Sequence, residues 1–256
     1  MIALIVGASR RNLVELRRYG FDTVFQFAGI FLLFALIFAG AKGVGGASVR
    51  SGDTLPSMVV GFFVLTIVLF TFFSTSAWLT QEATLGTLEQ ISMSPYGLLA
   101  VLLAETLASV WYLVLISSVM LVAAEAMTGQ WLHIDLLTLV PLLLLLLLQM
   151  TGVSLLIGGA AVVFKRVASL ANLTQFAFLA LIGLPISEYP AVKYLPIGLA
   201  SDLIRRSTVH NVRLLDMPTA DLITLVVIAV GYFSLGVLVF LRCERTARER
   251  GLIGVH

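Results

Sequence analysis

Long runs of apolar residues constrain the fold of this chain more than any other feature. Several runs reach 18 residues or more, which is the length an α-helix needs to cross a hydrocarbon layer about 30 Å thick. Hydrophobic residues make up 59% of the 256 residues and charged residues 12%, against about 45–50% and about 25% in soluble domains. The sequence therefore predicts an all-α polytopic membrane protein, with residues 1–256 forming a single transmembrane domain.

Six apolar segments are predicted to span the membrane. They cover about 23–39, 56–78, 96–124, 136–164, 167–184 and 220–241. Residues 1–20 place four arginines beside apolar residues, which predicts an amphipathic helix at the bilayer interface. Residues 185–218 are interrupted by Pro185, Pro190 and Pro196 and show a helical rhythm of apolar and charged residues, which predicts short helices that lie at the membrane surface or re-enter it.

The basic residues indicate the orientation. Ten of the sixteen lysines and arginines lie in the N-terminal segment, in the turn after the fourth span and in the C-terminal tail. Six spans bring these three segments to one side, and the positive-inside rule places that side in the cytoplasm. We therefore expect a multi-pass protein of the cytoplasmic membrane with both termini cytoplasmic and residues 185–218 outside.

The polar segment 80–95, between the second and third spans, has the features of an amphipathic helix. Glu82 and Glu89 lie two turns apart and share a face. An apolar stripe recurs every three residues at Leu85, Leu88 and Ile91. The segment could rest on the bilayer or dock into a groove on a soluble partner. Because it contains no Lys or Arg, anionic headgroups would repel it, which favours docking.

Sequence motifs for catalysis are absent. The chain contains no GxxxxGK[ST], GxSxG or HExxH, and its three histidines and single cysteine show no zinc-ligand spacing. We predict no catalytic residue, no metal site, no cofactor bound by this chain and no nucleic-acid partner. Energy for any transport would come from another chain or from an ion gradient.

Some residues inside the predicted spans are candidates for a substrate path. Glu105, two turns into the third span, could serve a proton or cation relay, or could be solvated or paired near the cytoplasmic end. Gln149, Thr151 and Ser154 could pack helices or line a cavity, and Ser154 with Gly158 forms a small-residue pair. The aromatic face of the second span, with Phe62, Phe70 and Phe73, could contact lipid, core or substrate, and Trp78 is placed to anchor at an interface.

The order of these segments resembles the permease subunits of ABC-2 type transporters, which have the type V exporter fold. The resemblance covers nearly the whole chain, and its most specific part is the segment 80–95. In the family this segment is commonly a Glu-Arg-Glu-x-Gly-Thr-Leu-Glu run ending at Ser/Thr-Pro. The matching residues here are Glu82, Gly86, Thr87, Leu88, Glu89, Ser94 and Pro95. Ala83 and Thr84 replace a charged pair, which leaves open which partner contacts are salt bridges.

The resemblance implies that 80–95 is the coupling helix, and that two permeases, identical or paralogous, bind two separate ATPase subunits. Those subunits would hold ATP and Mg²⁺. It also implies export of a substrate between the permeases; the apolar spans favour a hydrophobic or amphipathic molecule such as a drug, lipid or peptide. Polysaccharide or ion export by the same architecture is an alternative, and so is an ion-coupled carrier using Glu105. A carrier would be expected to show repeated halves, which residues 1–128 and 129–256 do not.

Overall fold

A computed structural model describes residues 28–40, 54–84, 97–129, 131–132, 134–164, 168–184 and 189–249, together with residues 7, 9, 11, 25 and 186. For residues 76–77, 79–84, 163–164, 168–172 and 183 the description covers the backbone alone. Throughout these ranges the regular structure is helical and contains no strand. The prediction of an all-α protein is confirmed for this part of the chain.

The described residues form seven α-helices. They are α1 (Ala28–Gly40), α2 (Thr54–Thr84), α3 (Gly97–Thr128), α4 (Leu136–Phe164), α5 (Ala168–Gly183), α6 (Gly198–Val209) and α7 (Thr219–Glu249). Two short 3₁₀ helices, Pro190–Tyr194 and Leu214–Asp216, flank α6. Within the described residues, α2, α3, α4 and α7 are long and apolar enough to cross a membrane, whereas the apolar parts of α1 and α5 are shorter.

Three helices extend beyond the predicted spans. The helix of the second span continues past Trp78 to Thr84, so residues 80–84 prolong it instead of beginning a separate helix. The third continues to Thr128 and the last to Glu249. The apolar pattern ends where the hydrocarbon ends, but a helix satisfies its own backbone hydrogen bonds and can continue into the polar region. A helix of 32 residues such as α3 is about 48 Å long, which exceeds the hydrocarbon thickness.

Contacts between helices define two ends of the bundle. A buried cluster at one end contains residues from α2, α3, α4 and α7: Trp78, Leu98, Leu102, Leu155 and Phe240. We call this the Trp78 end. The opposite end, which we call the Asp202 end, contains α6 and its two 3₁₀ helices, because Leu214 contacts Thr138 at the start of α4 and Asp202 lines a cavity with Thr54 at the start of α2. The prediction that Trp78 anchors at a membrane interface is wrong, because its side chain is 6% exposed and packs inside the bundle.

The helices alternate in direction. The ring of Phe70 packs on Tyr112 of α3, and Trp78 lies beside Leu98, so α2 and α3 are antiparallel. Thr71 and Leu147 line one cleft while Trp78 and Leu155 share a cluster, so α2 and α4 are parallel. Phe178 of α5 packs on Phe72, whereas Ile182, later in α5, lies beside the earlier Gly61. Thus α5 is antiparallel to α2.

The tightest helix contact joins α4 to α7. A Cβ atom at Gly152 would lie 2.4 Å from the carbonyl oxygen of Tyr232, and one at Gly236 would lie 2.2 Å from the carbonyl oxygen of Gly152. Two helical turns further along α4, a Cβ at Gly159 would lie 3.2 Å from Cα of Phe240. Small residues let two helix backbones approach this closely. Because both helices advance toward the Trp78 end, α4 and α7 are parallel.

The exposed side of α3 is apolar along its length. Its exposed residues include Leu107, Trp111, Val114, Leu115, Val119 and Val122. Exposed aliphatic side chains at this helical spacing are expected where a helix contacts lipid or another apolar helix. The large hydrophobic residues exposed on α7 are aliphatic as well: Ile223, Val226, Val227, Val230, Leu235, Leu238 and Leu241. These apolar faces agree with a multi-pass membrane protein.

Candidate functional site

The residues between α5 and α7 fold back into the Asp202 end of the bundle. Ile197, which precedes α6, is fully buried and has φ of +80°, an uncommon value for a β-branched residue. Its backbone N–H donates to Oε1 of Gln149 on α4 at 3.3 Å. The next residue is Gly198, where a Cβ would lie 2.1 Å from the carbonyl oxygen of Val192. Only glycine fits there, and α6 is thereby held against the bundle.

Helix α6 presents charged residues on one face and buries the other. Asp202, whose side chain is 7% exposed, forms ion pairs with Arg205 one turn on (Oδ1 to Nη2, 2.6 Å) and with Arg206 (Oδ2 to Nη2, 2.7 Å). Spacings of three and four residues bring these side chains together on a helix. A buried carboxylate requires such partners, because an unpaired buried charge is costly.

A second carboxylate links α6 to α7. Asp221, in the first turn of α7, accepts a hydrogen bond from Nζ of Lys193 at 2.6 Å and lies 3.8 Å from Nη1 of Arg206. The hydrogen bond from Lys193 to Asp221 raises the pKa of that amine, so the lysine stays protonated at neutral pH. We call these five residues (Lys193, Asp202, Arg205, Arg206 and Asp221) the Asp202 network. It contains three cations and two carboxylates.

The Asp202 network borders a cavity of about 750 Å³. Helices α1, α2 and α5 supply apolar walls, and α6 closes the cavity with Ser201, Asp202 and Arg205. The apolar lining includes Leu33, Phe34, Met58, Phe62, Leu65, Leu179 and Ile182. Small-molecule sites in proteins are typically about 300–1,000 Å³, mostly apolar, with a few placed polar groups. The cavity has both properties.

The aromatic candidates of the second span separate in the structure. Phe62 lines the cavity, and its ring stacks on Phe34 of α1 with centroids 4.4 Å apart. Phe70 instead packs on Tyr112 at 5.8 Å, and Phe73 packs on Phe72 at 5.3 Å. Phe62 is therefore placed to contact a ligand in the cavity, whereas Phe70 and Phe73 do not line it and pack against the buried core.

The polar candidates of α4 are buried. Gln149 supports the strained backbone at Ile197 as described above. Thr151 donates to the carbonyl of Leu147 at 2.8 Å and lines a cleft of only 20 Å³. Ser154 Oγ lies 2.8 Å from the carbonyl oxygen of Thr151 and 3.3 Å from the Thr75 hydroxyl of α2. These contacts assign Gln149 and Ser154 to packing, and the cleft beside Thr151 is too small for a substrate.

Glu105 lies near the Trp78 end, two turns after α3 begins. Its carboxylate is 3.4 Å from Nη2 of Arg11, and the two side chains are 16% and 40% exposed. Because an opposite charge stabilises the ionised carboxylate, this contact favours the paired interpretation of Glu105 over a proton relay.

The Arg11 contact leads to a prediction for Glu105→Gln. The amide can still accept a hydrogen bond from Arg11, and a partly exposed ion pair is worth about 0–1 kcal/mol. We expect nearly unchanged transport and an unchanged pH profile. Arg11→Gln is the matched variant and should behave alike. Loss of transport by Glu105→Gln, at a normal level of folded complex, would contradict the pairing role and indicate a relay.

The coupling candidates fall mostly beyond the described residues. Glu82 belongs to the last turn of α2 by its backbone. The remaining candidates, Leu85, Gly86, Thr87, Leu88, Glu89 and Ile91, lie outside the described residues, and so does the predicted helix of residues 1–20 apart from positions 7, 9 and 11. The segment between Thr84 and Gly97 nevertheless begins and ends at the Trp78 end, because α2 ends there and α3 begins there.

The Asp202 network and the cavity were not identified from the sequence. The alternation of Leu199, Leu203 and Ile204 with Asp202, Arg205 and Arg206 was visible as a helical rhythm, but it gave no partner for the charges. Lys193 and Asp221 lie on separate elements, 28 residues apart. Two arginines spaced three and four residues after an aspartate are the one local signal that could have identified the ion pairs.

The chain matches no protein-family model, and no curated protein is significantly similar to it.

Proposed function

We propose that this chain is the permease subunit of an ATP-driven exporter of the ABC-2 type. It would move a hydrophobic or amphipathic substrate out across the cytoplasmic membrane, powered by separate ATPase subunits that bind ATP and Mg²⁺. Two permeases would associate, as copies or paralogues. The proposal begins from the resemblance of residues 82–95 to the family's coupling helix, and the fold supplies further support.

The observation that carries the proposal is the packing at the Trp78 end. The last turns of α2 and the first turns of α3 meet there through Trp78, Leu98 and Leu102, and late residues of α4 and α7 join the same cluster. A segment connecting α2 to α3 at this point is attached to four packed helices. Force applied to it by a soluble partner would therefore be transmitted to these four helices.

The helix directions support five of the six proposed crossings. Helices α2, α4 and α7 run toward the Trp78 end, whereas α3 and α5 run away from it. The parallel pair α4 and α7 requires the chain to return between them, and α5 provides that return. The described ends of α4 and α7 then both lie at the Trp78 end; Lys165 and Arg166 follow α4 in the sequence, and Arg242, Arg245 and Arg248 belong to the end of α7. The positive-inside rule favours the cytoplasm for that end.

The cavity supports the proposed class of substrate. Its apolar walls and its single charged end suit a molecule with an apolar body and a polar head. The ion-coupled alternative has less support, because the carboxylate of Glu105 forms an ion pair with Arg11.

Accessibility labelling tests the orientation. In a Cys243→Ser background, cysteines introduced at positions 45, 88 and 210 are treated with a membrane-impermeant maleimide. We expect positions 45 and 210 to react in intact cells and position 88 to react only after the membrane is opened. Reaction of position 88 in intact cells would overturn the orientation and, with it, the docking of the segment 80–95 on a cytoplasmic ATPase.

A further inference from the structure

We propose that the cavity between α1, α2, α5 and α6 binds a single anionic amphipath within one chain. Its aliphatic body would lie along the apolar walls, and its negatively charged head would bind the guanidinium of Arg205. As a statement about the exported substrate this rests on the proposed function, but binding itself requires only the purified chain.

The shape of the cavity supports an elongated apolar body. Its apolar walls come from α1, α2 and α5, and the cavity extends from Ile30 and Leu65 to Ser57 and Thr54 at the Asp202 end. The polar side chains of the lining gather at that one end: Thr54, Ser57, Ser201, Asp202 and Arg205. The separation of apolar and polar lining matches the two parts of an amphipath.

The charge balance at the polar end selects the sign of the head. Asp202 and Arg205 are the charged residues among the described lining. Both oxygens of Asp202 are already engaged, one by Arg205 and one by Arg206, and Asp221 is shared by Arg206 and Lys193. The Asp202 network therefore carries a net charge of +1.

Arg205 is the member of the network that can present this positive charge to a ligand. Its side chain is 40% exposed and lines the cavity, whereas Lys193 and Arg206 do not line it. A guanidinium has five N–H donors in a planar fork that suits phosphate and carboxylate groups, and Asp202 is hydrogen-bonded to one nitrogen. A cationic head would instead be repelled by the network.

Removing the charge of Arg205 should not unfold α6. Asp202 keeps Arg206 as an ion-pair partner at 2.7 Å, so Arg205→Gln does not leave a buried carboxylate without a cation. Arg205→Lys keeps the charge but loses the planar fork. Arg213→Gln is the matched control, since Arg213 is an exposed arginine near the same end and does not line the cavity.

The test measures binding of two lysolipids with the same palmitoyl chain to the purified full chain by native mass spectrometry. Lysophosphatidylglycerol has a net negative head and lysophosphatidylcholine a neutral zwitterionic one. We expect the parent and Arg213→Gln to prefer the anionic lipid by about tenfold, the size of one charge-assisted contact at a partly exposed site. Arg205→Gln should lose this preference, and Arg205→Lys should keep part of it.

Ser57→Phe provides a second and independent variant. Ser57 lines the cavity from α2, so a phenyl ring there should occupy the space and weaken binding of both lysolipids about tenfold or more while the Asp202 network stays intact. Equal binding of both lipids by the parent, or a preference unchanged in Arg205→Gln, would overturn the proposal. If Arg205→Gln does not yield a monodisperse protein, unchanged binding by Ser57→Phe overturns it.

The outcome separates this proposal from the proposed function. Selective binding without ATP-dependent export of the lysolipid would support the site and contradict its role in export. ATP-dependent export by a chain that shows no selective binding would support the exporter and overturn the site.

Discussion

Adding one methyl group at Gly236 should destabilise the bundle, whereas adding one at Gly231, on the same helix, should be tolerated. A Cβ at Gly236 would lie 2.2 Å from the carbonyl oxygen of Gly152, and the neighbouring carbonyl carbon and Cα of Gly152 would lie within 2.9 Å. These are backbone atoms of α4 and cannot rotate away, so the two helices must separate. A Cβ at Gly231 would meet nothing within 4 Å.

We expect Gly236→Ala to lower the free energy of unfolding by about 1–3 kcal/mol, which is the usual cost of overpacking. Gly231→Ala should be neutral or slightly stabilising, because alanine has the higher helix propensity. Gly236→Leu should prevent recovery of a monodisperse protein, and Gly152→Leu should do the same. Thermal unfolding of the purified variants, followed by size-exclusion chromatography, measures both effects. Equal stability of Gly236→Ala and Gly231→Ala would contradict the close contact between α4 and α7.

The second large effect is expected in the segment between α2 and α3. If this segment docks in a groove of an ATPase, truncating Leu88 to alanine removes packing worth about 2–3 kcal/mol. This corresponds to about 30- to 150-fold weaker binding of the ATPase. Glu82→Lys should weaken binding further, because it places like charges together if the acidic face meets basic groups of the partner.

Both positions follow the apolar span Thr54–Thr75 of α2 in the sequence, so we expect the variants to insert normally and to retain the parent's thermal stability. Leu215→Ala is the matched control, because Leu215 is 93% exposed and lies at the opposite end of the bundle. Co-purification with the ATPase and ATP hydrolysis in reconstituted vesicles are the measurements. Parent-like values for both Leu88→Ala and Glu82→Lys would indicate that the segment rests on the bilayer and does not dock.

The all-helical class and the positions of the long apolar helices were predictable because hydrocarbon thickness sets a minimum run of apolar residues. The helix ends were less predictable. Thr84 and Glu249 lie beyond the apolar runs, where the helix continues without a hydropathy signal. The residue type of Trp78 favours a membrane interface, but the positions of three other helices determine its burial.

The contacts between distant residues could not be predicted from the sequence. Many small residues occur in the chain, and close approach of two helices depends on which of their faces meet. The sequence therefore gave no reason to prefer the contact between Gly152 and Gly236 over one at Ser154 and Gly158. The cavity also depends on four helices and leaves no local pattern. Gln149 was recognised as a polar residue in a span, but its role became visible only with Ile197 beside it.

Site-specific photocrosslinking from position 88 tests the central claim most directly. A photoreactive phenylalanine analogue replaces Leu88 in the full chain within its native membrane, and the same analogue at position 215 serves as the control. The exporter proposal predicts a crosslink from position 88 to a polypeptide that itself binds and hydrolyses ATP, and no such product from position 215. Crosslinks from position 88 to lipid alone, with no ATPase attached, would contradict the proposal.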